Sequence, residues 1–234
     1  MNRGWIVAPG RVPYAAAYAA MHELAERRLA GEVPDLLILL EHPPVYTAGR
    51  RTDPSHLLLT EERMRELGAE VHHVDRGGSV TFHGPGQLVG YPILDLGPRP
   101  DVIRYLRNIE EVVIGAAGAF GVGCGREDVN TGVWSRGKKV CAIGVKTTRS
   151  VTLHGFALNC TTDLSWFDAI VPCGLADHGV TSLSNEAGRT VTVSDALPVV
   201  ARRFERVFDV ALHPAPPDVE ALVAGGPAVA TRAS

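Results

Sequence analysis

The sequence lacks the features by which membrane, secreted and nucleic-acid-binding proteins are commonly recognised. No apolar run approaches the roughly 20 residues that span a bilayer. The apolar stretch near the amino terminus ends at Pro9 and Gly10, too early for a signal-peptide core. The 234 residues carry a net charge of −3 and no block of Lys or Arg, which disfavours a nucleic-acid partner. We therefore expect a cytoplasmic protein that binds neither membrane nor nucleic acid.

Cysteine and lysine are both scarce. The four cysteines form no Cys-x-x-Cys pair, so neither a zinc ribbon nor a dense disulfide framework is indicated. A reducing compartment would leave a thiol free for chemistry. The only lysines are Lys138, Lys139 and Lys146, which cluster in one predicted hairpin.

The glycine-rich segments do not complete a phosphate-binding motif. The run "GVWSRGKK", residues 132–139, matches the first part of a P-loop, but Lys139 stands where Ser or Thr must ligate Mg²⁺. A strand-like run follows it where the motif requires a helix. Gly84, Gly86 and Gly90 miss the dinucleotide-binding pattern by one position. We therefore expect no cofactor.

Helical and strand patterns alternate along the chain with mostly short connections, which predicts an α+β fold with a largely antiparallel sheet. The predicted helices are 14–29, 60–67, 100–120 and 195–212. The predicted strands are 35–42, 70–74, 79–82, 88–94, 133–134, 140–145 and 151–158. On the third helix one apolar face is expected, formed by Ile103, Leu106, Ile109, Val113 and Ala116. A single domain is expected over 1–213, followed by a disordered Pro-, Ala- and Gly-rich tail without a core role over 214–234.

Two stretches have a composition that structure alone does not explain. The run "DRGGSVTFHGPGQLVGYPILDL", residues 75–96, puts many glycines into a segment otherwise suited to strand, although glycine weakens strands. The run "IVPCGLADHGVTSL" places Cys173 between Pro172 and Gly174, where the backbone could approach a reacting carbonyl. Cys141 and Cys160 lie in apolar strand runs and fit the ordinary buried, inert cysteine, while Cys124 has no obvious partner.

A nucleophilic cysteine needs help to ionise. A free thiol has a pKa of about 8.5 and is mostly protonated at neutral pH. A Lys ammonium about 4 Å away attracts a thiolate by about 4 kcal/mol at an effective dielectric near 20. Half of this energy would lower the thiol pKa enough to make the thiolate common at neutral pH. The spacing alone does not decide which lysine does so.

A metal site is the alternative use of these residues. His72 and His73 are adjacent, so on a strand they point to opposite faces. His83, His154 and Cys173 could converge in space, since zinc ligands are often distant in sequence. The sequence leaves this alternative open.

Four segments, in order, resemble the signature of the octanoyltransferases of lipoate biosynthesis: "RGGSVTFHGPGQLVGYPILDL", "KKVCAIGV", "TLHGFALNC" and "FDAIVPCGLADHGVTSL". The segment "HPPVYTAGRR" also fits, and the resemblance covers roughly residues 41–183. Phe82 stands where this family more often has Tyr.

The resemblance implies a fold like that of the biotin and lipoate protein ligases, with a mixed sheet flanked by helices. It implies transfer of an octanoyl group from octanoyl-acyl carrier protein to a lysine of lipoyl domains, the first step of endogenous protein lipoylation. The acceptors would be the lipoyl domains of 2-oxoacid dehydrogenase complexes and the glycine cleavage H protein. The enzyme would act as a monomer and hold the acyl group as a cysteine thioester.

The resemblance also assigns site residues. Cys173 corresponds to the nucleophile and Lys139 to the lysine that lowers its pKa. The implied acyl pocket consists of Arg76, Gly77, Gly78, Ser79, Val80, Thr81, Phe82, His83, Ala142, Ile143, Gly144, His154, Gly155, Phe156 and Ala157. Arg76 could be a surface charge, although a loop Arg beside two glycines is the better candidate for shaping the site, and His83 could equally be a turn residue. Two other functions compete: an ATP-dependent ligase of the same fold, and a non-catalytic binder of acylated proteins.

Overall fold

A computed structural model describes residues 2–171 and 179–226. The strands within these ranges are β1 (Asn2–Arg11), β2 (Leu36–Glu41), β3 (Val45–Ala48), β4 (Glu70–His73), β5 (Thr81–His83), β6 (Gln87–Ile93), β7 (Gly125–Glu127), β8 (Asn130–Ser135), β9 (Lys138–Thr148), β10 (Val151–Asn159) and β11 (Val210–Pro214). The helices are α1 (Tyr14–Leu29), α2 (Glu61–Glu66), α3 (Val102–Gly118), α4 (Leu183–Ala187), α5 (Val193–Phe208) and α6 (Pro217–Val223). Cys173 lies outside the described residues.

The strands form a large and a small sheet. The eight-stranded sheet has the order β11-β1-β2-β6-β10-β9-β8-β7, and the three-stranded sheet has the order β4-β3-β5. Strand β1 pairs in parallel with β2 and β11, and β3 pairs in parallel with β4. The remaining pairs between strands are antiparallel. The predicted α+β class with a mixed, largely antiparallel sheet is therefore confirmed.

Helices cover both faces of the large sheet. On β2 the alternation of a strand sends Leu37 and Leu39 into a cluster with α3 and α5, and sends Leu36, Ile38 and Leu40 into a cluster with α1 and α6. Strand β2 is buried on both sides because it lies inside the sheet, which explains its continuous apolar sequence.

Side-chain caps fix where several helices begin. Thr60 accepts a hydrogen bond from the backbone of Arg63 at the start of α2, and Thr192 forms a capping box with Asp195 at the start of α5. Helix α5 ends at Phe208 because Asp209 adopts a left-handed conformation, with φ of 52°. The helix predicted to reach residue 212 therefore stops earlier, and β11 follows.

The apolar face expected on α3 is partly wrong. Ile103 is 73% exposed and lies in the first turn of α3, which begins at Val102. The buried stripe of the helix consists of Tyr105, Ile109, Val112, Val113 and Ala116, together with Glu110 and Ala117.

Residues 214–226 are not the coreless tail that their composition predicts. Helix α6 contacts α1 and β1, and Val219 and Val223 are fully buried in the cluster beneath α1. Burial of these side chains stabilises a short helix that the composition alone does not predict to pack against the core. Residues 227–234 lie outside the described residues.

In the described part of the chain, no helix combines the length and the apolar character that crossing a membrane requires.

Candidate active site

The predicted pocket segments meet in one cavity between β9, β10 and the loop that follows β4. Of the predicted pocket residues, those that line it are Arg76, Gly77, Gly78, Ser79, Thr81, His83, Ala142, Ile143, Gly144, His154, Gly155, Phe156 and Ala157. Tyr14, Arg51, Val89, Leu106 and Tyr91 also contribute to its wall. The cavity therefore has a mixed lining of glycine backbone, apolar side chains and a few polar groups, which is typical of a ligand pocket.

Two predicted pocket residues are not brought to this cavity. Val80 and Phe82 are almost fully buried in the cluster around the small sheet. The ring of Phe82 stacks on Trp166 with centroids 5.2 Å apart and lies 5.3 Å from the ring of Tyr46. Strand alternation in and before β5 turns these two side chains away from Thr81 and His83.

The two pocket segments on β9 and β10 are directly paired. Ala142 lies opposite Ala157, and Gly144 lies opposite Gly155. At Gly155 a Cβ atom would stand 2.1 Å from the carbonyl oxygen of Gly90, so only glycine fits this position. The glycines in the motif therefore allow neighbouring backbones to approach each other closely.

Arg76 holds the glycine-rich loop from inside the protein. Its Nη2 donates to the carbonyl oxygen of Thr47 at 2.6 Å and to Thr47 Oγ1 at 2.9 Å, and its Nη1 donates to the carbonyl oxygen of Ser79 at 2.8 Å. The residue is only 7% exposed. Arg76 is therefore not a surface charge; it ties the cavity wall to β3.

His83 is a neutral, buried member of the cavity wall. Burial lowers the pKa of His83 to about 3. Its Nε2 lies 3.2 Å from Thr47 Oγ1, and its Nδ1 lies 2.8 Å from Gln87 Oε1. Both ring nitrogens are thus engaged, which disfavours the metal-ligand interpretation of His83.

His154 is held in an unusual backbone conformation within β10, with φ of 61°. Its Nε2 lies 2.7 Å from Asp75 Oδ1, and Lys146 Nζ lies 2.5 Å from Asp75 Oδ2. Burial lowers the pKa of His154 to about 4 although Asp75 favours its charged form. Burial alone would raise the pKa of Asp75, but hydrogen bonds from Lys146 and His154 outweigh it and hold that pKa well below its usual range.

One group of donors within the described ranges has the size of a metal site. Ligand atoms of His22, Asp75 and His154 all lie within 4.8 Å of one another. The Lys146 ammonium already neutralises Asp75 and would repel a cation. We therefore interpret the group as an ion-paired cluster at the cavity wall.

Lys139 lies next to the cavity, and the other two lysines are engaged or exposed elsewhere. Lys139 is 4% exposed, and its Nζ stands 4.6 Å from the centroid of the Trp134 ring. It lines a small second cavity that shares Thr81, Ala142 and Ala157 with the first. Only one layer of wall residues therefore separates Lys139 from the larger cavity.

The predicted nucleophile, Cys173, lies outside the described residues, but the chain on both sides of residues 172–178 is held in place. Before this segment, the backbone of Val171 donates to the carbonyl oxygen of His56 at 2.8 Å. After it, the carbonyl oxygen of Gly179 accepts a hydrogen bond from the backbone of Lys139 at 2.9 Å. Lys139 therefore pairs directly with the chain six residues beyond the predicted nucleophile.

The other cysteines are unsuited to nucleophilic chemistry. Burial raises the pKa of Cys124 to about 11 and that of Cys160 to about 12. The thiol of Cys141 is fully buried, and burial also raises its pKa well above the usual range. A raised pKa leaves almost no thiolate at neutral pH. These environments agree with the prediction that Cys141 and Cys160 are inert.

Sequence reasoning missed several residues of the site. Thr47, Gln87 and Tyr91 lie inside quoted motifs, but their polar contacts are made across strands. Tyr91 bonds to His42, with its hydroxyl 2.8 Å from His42 Nε2. Tyr14, on the first turn of α1, carries no local signal for its place in the cavity wall.

Comparison with known proteins first defines the class. A lipoate-protein ligase A with bound ATP superposes with a TM-score of 0.78 at 15% identity, covering 94% of this chain and 92% of that chain. The bipartite lipoate protein ligase of Thermoplasma acidophilum gives a TM-score of 0.76, also at 15% identity, covering 95% and 91% of the two chains. The fold is thus that of the lipoate protein ligases, as predicted.

Sequence comparison then defines the family. A profile of the lipoyl protein ligase A/B catalytic domain matches residues 13–205. An octanoyltransferase of Rubrobacter xylanophilus is 53% identical over 86% of this chain and 91% of its own. Another, from Salinispora tropica, is 49% identical over 87% and 95% of the two chains. The chain belongs to the octanoyltransferases, a family of acyltransferases of lipoate biosynthesis.

Proposed function

We propose that the protein transfers an octanoyl group from octanoyl-acyl carrier protein to a specific lysine of lipoyl domains, the first step of endogenous protein lipoylation. The observation that carries this proposal is the buried Lys139 beside a glycine-lined cavity, in a chain about half identical to octanoyltransferases. Cys173 is the nucleophile in this proposal and Lys139 its partner.

The first half-reaction exchanges one thioester for another. The Cys173 thiolate attacks the carbonyl carbon of the octanoyl thioester, a new carbon–sulfur bond forms, and the carrier-protein thiolate leaves. The leaving sulfur takes a proton from the Lys139 ammonium, which leaves the amine neutral. No ATP is consumed, because the two thioesters are of similar energy.

The second half-reaction forms the amide. The amine of the acceptor lysine attacks the enzyme thioester, and the Cys173 thiolate leaves. Neutral Lys139 accepts the proton that the nitrogen loses, as a general base would. The ammonium–thiolate pair is then restored, so atoms and charges balance over one turnover.

The cavity provides a place for the acyl chain. Val89, Ile143, Phe156 and Ala157 give it apolar wall, while Gly77, Gly144 and Gly155 keep side chains out of the way. Burying an alkyl chain yields about 0.8 kcal/mol per methylene, so most of the binding energy for the octanoyl group would arise here. Arg76, Ser79, Thr81, His83 and His154 shape the polar part of the same wall.

The partners follow from the same proposal. The acceptors are the lipoyl domains of 2-oxoacid dehydrogenase complexes and the glycine cleavage H protein, and the donor is the acylated carrier protein. The enzyme acts as a monomer in the cytoplasm and uses no cofactor. The identity with octanoyltransferases supports the lipoyl-domain acceptors.

The direct test is mass spectrometry of the protein after mixing with octanoyl-acyl carrier protein. We expect an octanoyl adduct on the peptide that contains Cys173, and discharge of this adduct on addition of a lipoyl domain. Cys173→Ser should abolish the thioester adduct while the protein stays folded, and Cys124→Ser should retain it. A folded wild-type protein that never forms the adduct would refute the proposal.

The two competing functions give different results. An ATP-dependent ligase would catalyse exchange between ATP and pyrophosphate in the presence of lipoate, and we expect none. A non-catalytic binder would hold an acylated partner equally well after Cys173→Ala, without turnover by the wild-type protein.

A further inference from the structure

A continuous chain of buried hydrogen bonds leads from the cavity wall towards Lys139. It begins at Arg76, whose Nη2 donates to Thr47 Oγ1 at 2.9 Å. Thr47 Oγ1 lies 3.2 Å from His83 Nε2, and His83 Nδ1 lies 2.8 Å from Gln87 Oε1. The first three links thus join the loop after β4, the small sheet and the first residue of β6.

The direction of every link follows from the chemistry of Gln87. Its Nε2 donates to the carbonyl oxygen of Phe82 at 3.1 Å and to Asn159 Oδ1 at 2.9 Å. Its Oε1 is therefore the acceptor that faces His83, which must carry its proton on Nδ1. The other nitrogen of His83 then accepts from the hydroxyl of Thr47. Every donor in this series of hydrogen bonds therefore points from Arg76 towards Asn159.

The far end of the chain fixes the backbone beside Lys139. Asn159 Nδ2 donates to the carbonyl oxygen of Thr181 at 3.0 Å. The backbone N–H of Thr181 donates to the carbonyl oxygen of Lys139, and the N–H of Lys139 donates to the carbonyl oxygen of Gly179, both at 2.9 Å. Asn159 therefore holds the segment that lies against the first residues of β9.

The links are shielded from water and depend on one another. Thr47 is fully buried, Gln87 is 1% exposed, Asn159 is 4% exposed and Thr181 is 3% exposed. One broken link leaves two buried polar groups without a partner, and each unsatisfied group is destabilising. Such a network holds one arrangement in preference to its neighbours.

We propose that Gln87 and Asn159 are positioning residues that set Lys139 relative to the cavity wall formed by Arg76 and His83. The inference rests on the proposed function, in which Lys139 stabilises the Cys173 thiolate. Neither side chain lines the larger cavity, but both line the small cavity beside Lys139, and Asn159 also reaches the backbone of Lys139 through Thr181.

The test measures the pH dependence of Cys173 alkylation by iodoacetamide, followed on its peptide by mass spectrometry, together with kcat and KM for octanoyl transfer. Asn159→Leu keeps the number and branching of the side-chain heavy atoms but removes both hydrogen bonds. We expect alkylation and kcat at pH 7 to fall about tenfold, equivalent to about one unit of thiol pKa, with KM unchanged. Alkylation should recover at high pH.

Three further variants separate positioning from stability. Thr47→Val should shift the pH profile in the same direction, and Thr47→Ser should restore it by returning the hydroxyl. Thr152→Val removes a buried hydroxyl that bonds to the backbone of Pro92 and Leu94, outside the chain of links. It should lower Tm without moving the profile.

The results distinguish this inference from the function on which it rests. If Asn159→Leu and Thr47→Val lower Tm but leave the alkylation profile at its wild-type position, the positioning role is refuted. If the wild-type protein forms no octanoyl adduct while these variants still shift the profile, the transferase proposal fails and the positioning role stands. If Asn159→Leu does not fold, the pH profiles of Thr47→Val and Thr47→Ser test the positioning role in its place.

Discussion

At the scale of single residues, the neighbouring lysines 138 and 139 provide a matched pair. Lys138 is exposed, whereas Lys139 is buried beside the cavity. In the proposed mechanism the Lys139 ammonium favours the thiolate, so Lys139→Ala raises the thiol pKa. We expect octanoyl-enzyme formation to slow by about tenfold or more below pH 8, since each unit of pKa shift is a factor of ten in thiolate. Single-turnover acylation measured against pH checks this.

The control for that prediction is Lys138→Ala, which removes a similar side chain from the opposite side of the same strand. It should leave the rate and its pH dependence unchanged. The slowing by Lys139→Ala should fade as the pH rises past the new thiol pKa, because thiolate then forms without assistance. A deficit that stays constant up to pH 10 would contradict the electrostatic role.

Gly155 lies in the cavity wall at a position that has no room for a side chain. Its Cβ would meet the carbonyl oxygen of Gly90 at 2.1 Å and Pro92 Cδ at 2.7 Å, so β6 and β10 must separate to admit a methyl group. We expect Gly155→Ala to lower the free energy of unfolding by about 1–3 kcal/mol, the usual cost of overpacking. Urea unfolding measures it. Gly123→Ala, where the Cβ meets nothing within 4 Å, should change little.

At the scale of elements, α6 shows tertiary burial prevailing over composition. Val219 and Val223 are fully buried and pack beneath α1. We expect Val219→Ala to lower the free energy of unfolding by about 1.5–3 kcal/mol, from lost burial plus the cavity left behind. Glu220→Ala on the exposed side of the same helix is the control. Equal, near-zero effects in urea unfolding would show that α6 contributes nothing to the core.

Elements with a strong local pattern were predictable, and elements that depend on distant pairing were not. Helix α1 begins and ends where its apolar spacing predicts, and Thr60 caps α2 as expected. Strand β1 was missed because its place in the sheet comes from parallel pairing with β2 and with β11, which lies at the far end of the chain. No local pattern encodes such a partner.

The candidate site was predictable only in part for the same reason. Gly90 lies in the glycine-rich run of residues 75–96, and its carbonyl oxygen would stand 2.1 Å from a Cβ atom at Gly155, so glycines of two quoted motifs meet across β6 and β10. The side-chain links from Thr47 to His83 and from Gln87 to Asn159 join different strands, so their spacing in the sequence carries no signal. The pocket positions themselves were identified through resemblance to a family.

At the scale of the whole molecule, buried neutral histidines make stability depend on pH. Burial lowers the pKa of His42 to about 4, that of His83 to about 3 and that of His154 to about 4. In the unfolded chain each returns to about 6.5. Between these values the unfolded state binds more protons than the native state, so stability falls as the pH falls. Above about pH 6.5 this loss is absent.

We therefore expect the free energy of unfolding to decrease between pH 6.5 and 4.5, with a slope of at most about 4 kcal/mol per pH unit for three independent histidines. Urea unfolding at half-unit steps measures the slope. His42→Gln retains a donor for the carbonyl oxygen of Val12 and an acceptor for Tyr91, the two bonds that His42 makes, but has no titrating ring. It should reduce the slope by about 1.4 kcal/mol per pH unit, while His213→Gln at an exposed position should not. A slope that His42→Gln leaves unchanged would mean that His42 is protonated in the native state, and that its buried contact with Tyr91 opens on acidification before the molecule unfolds.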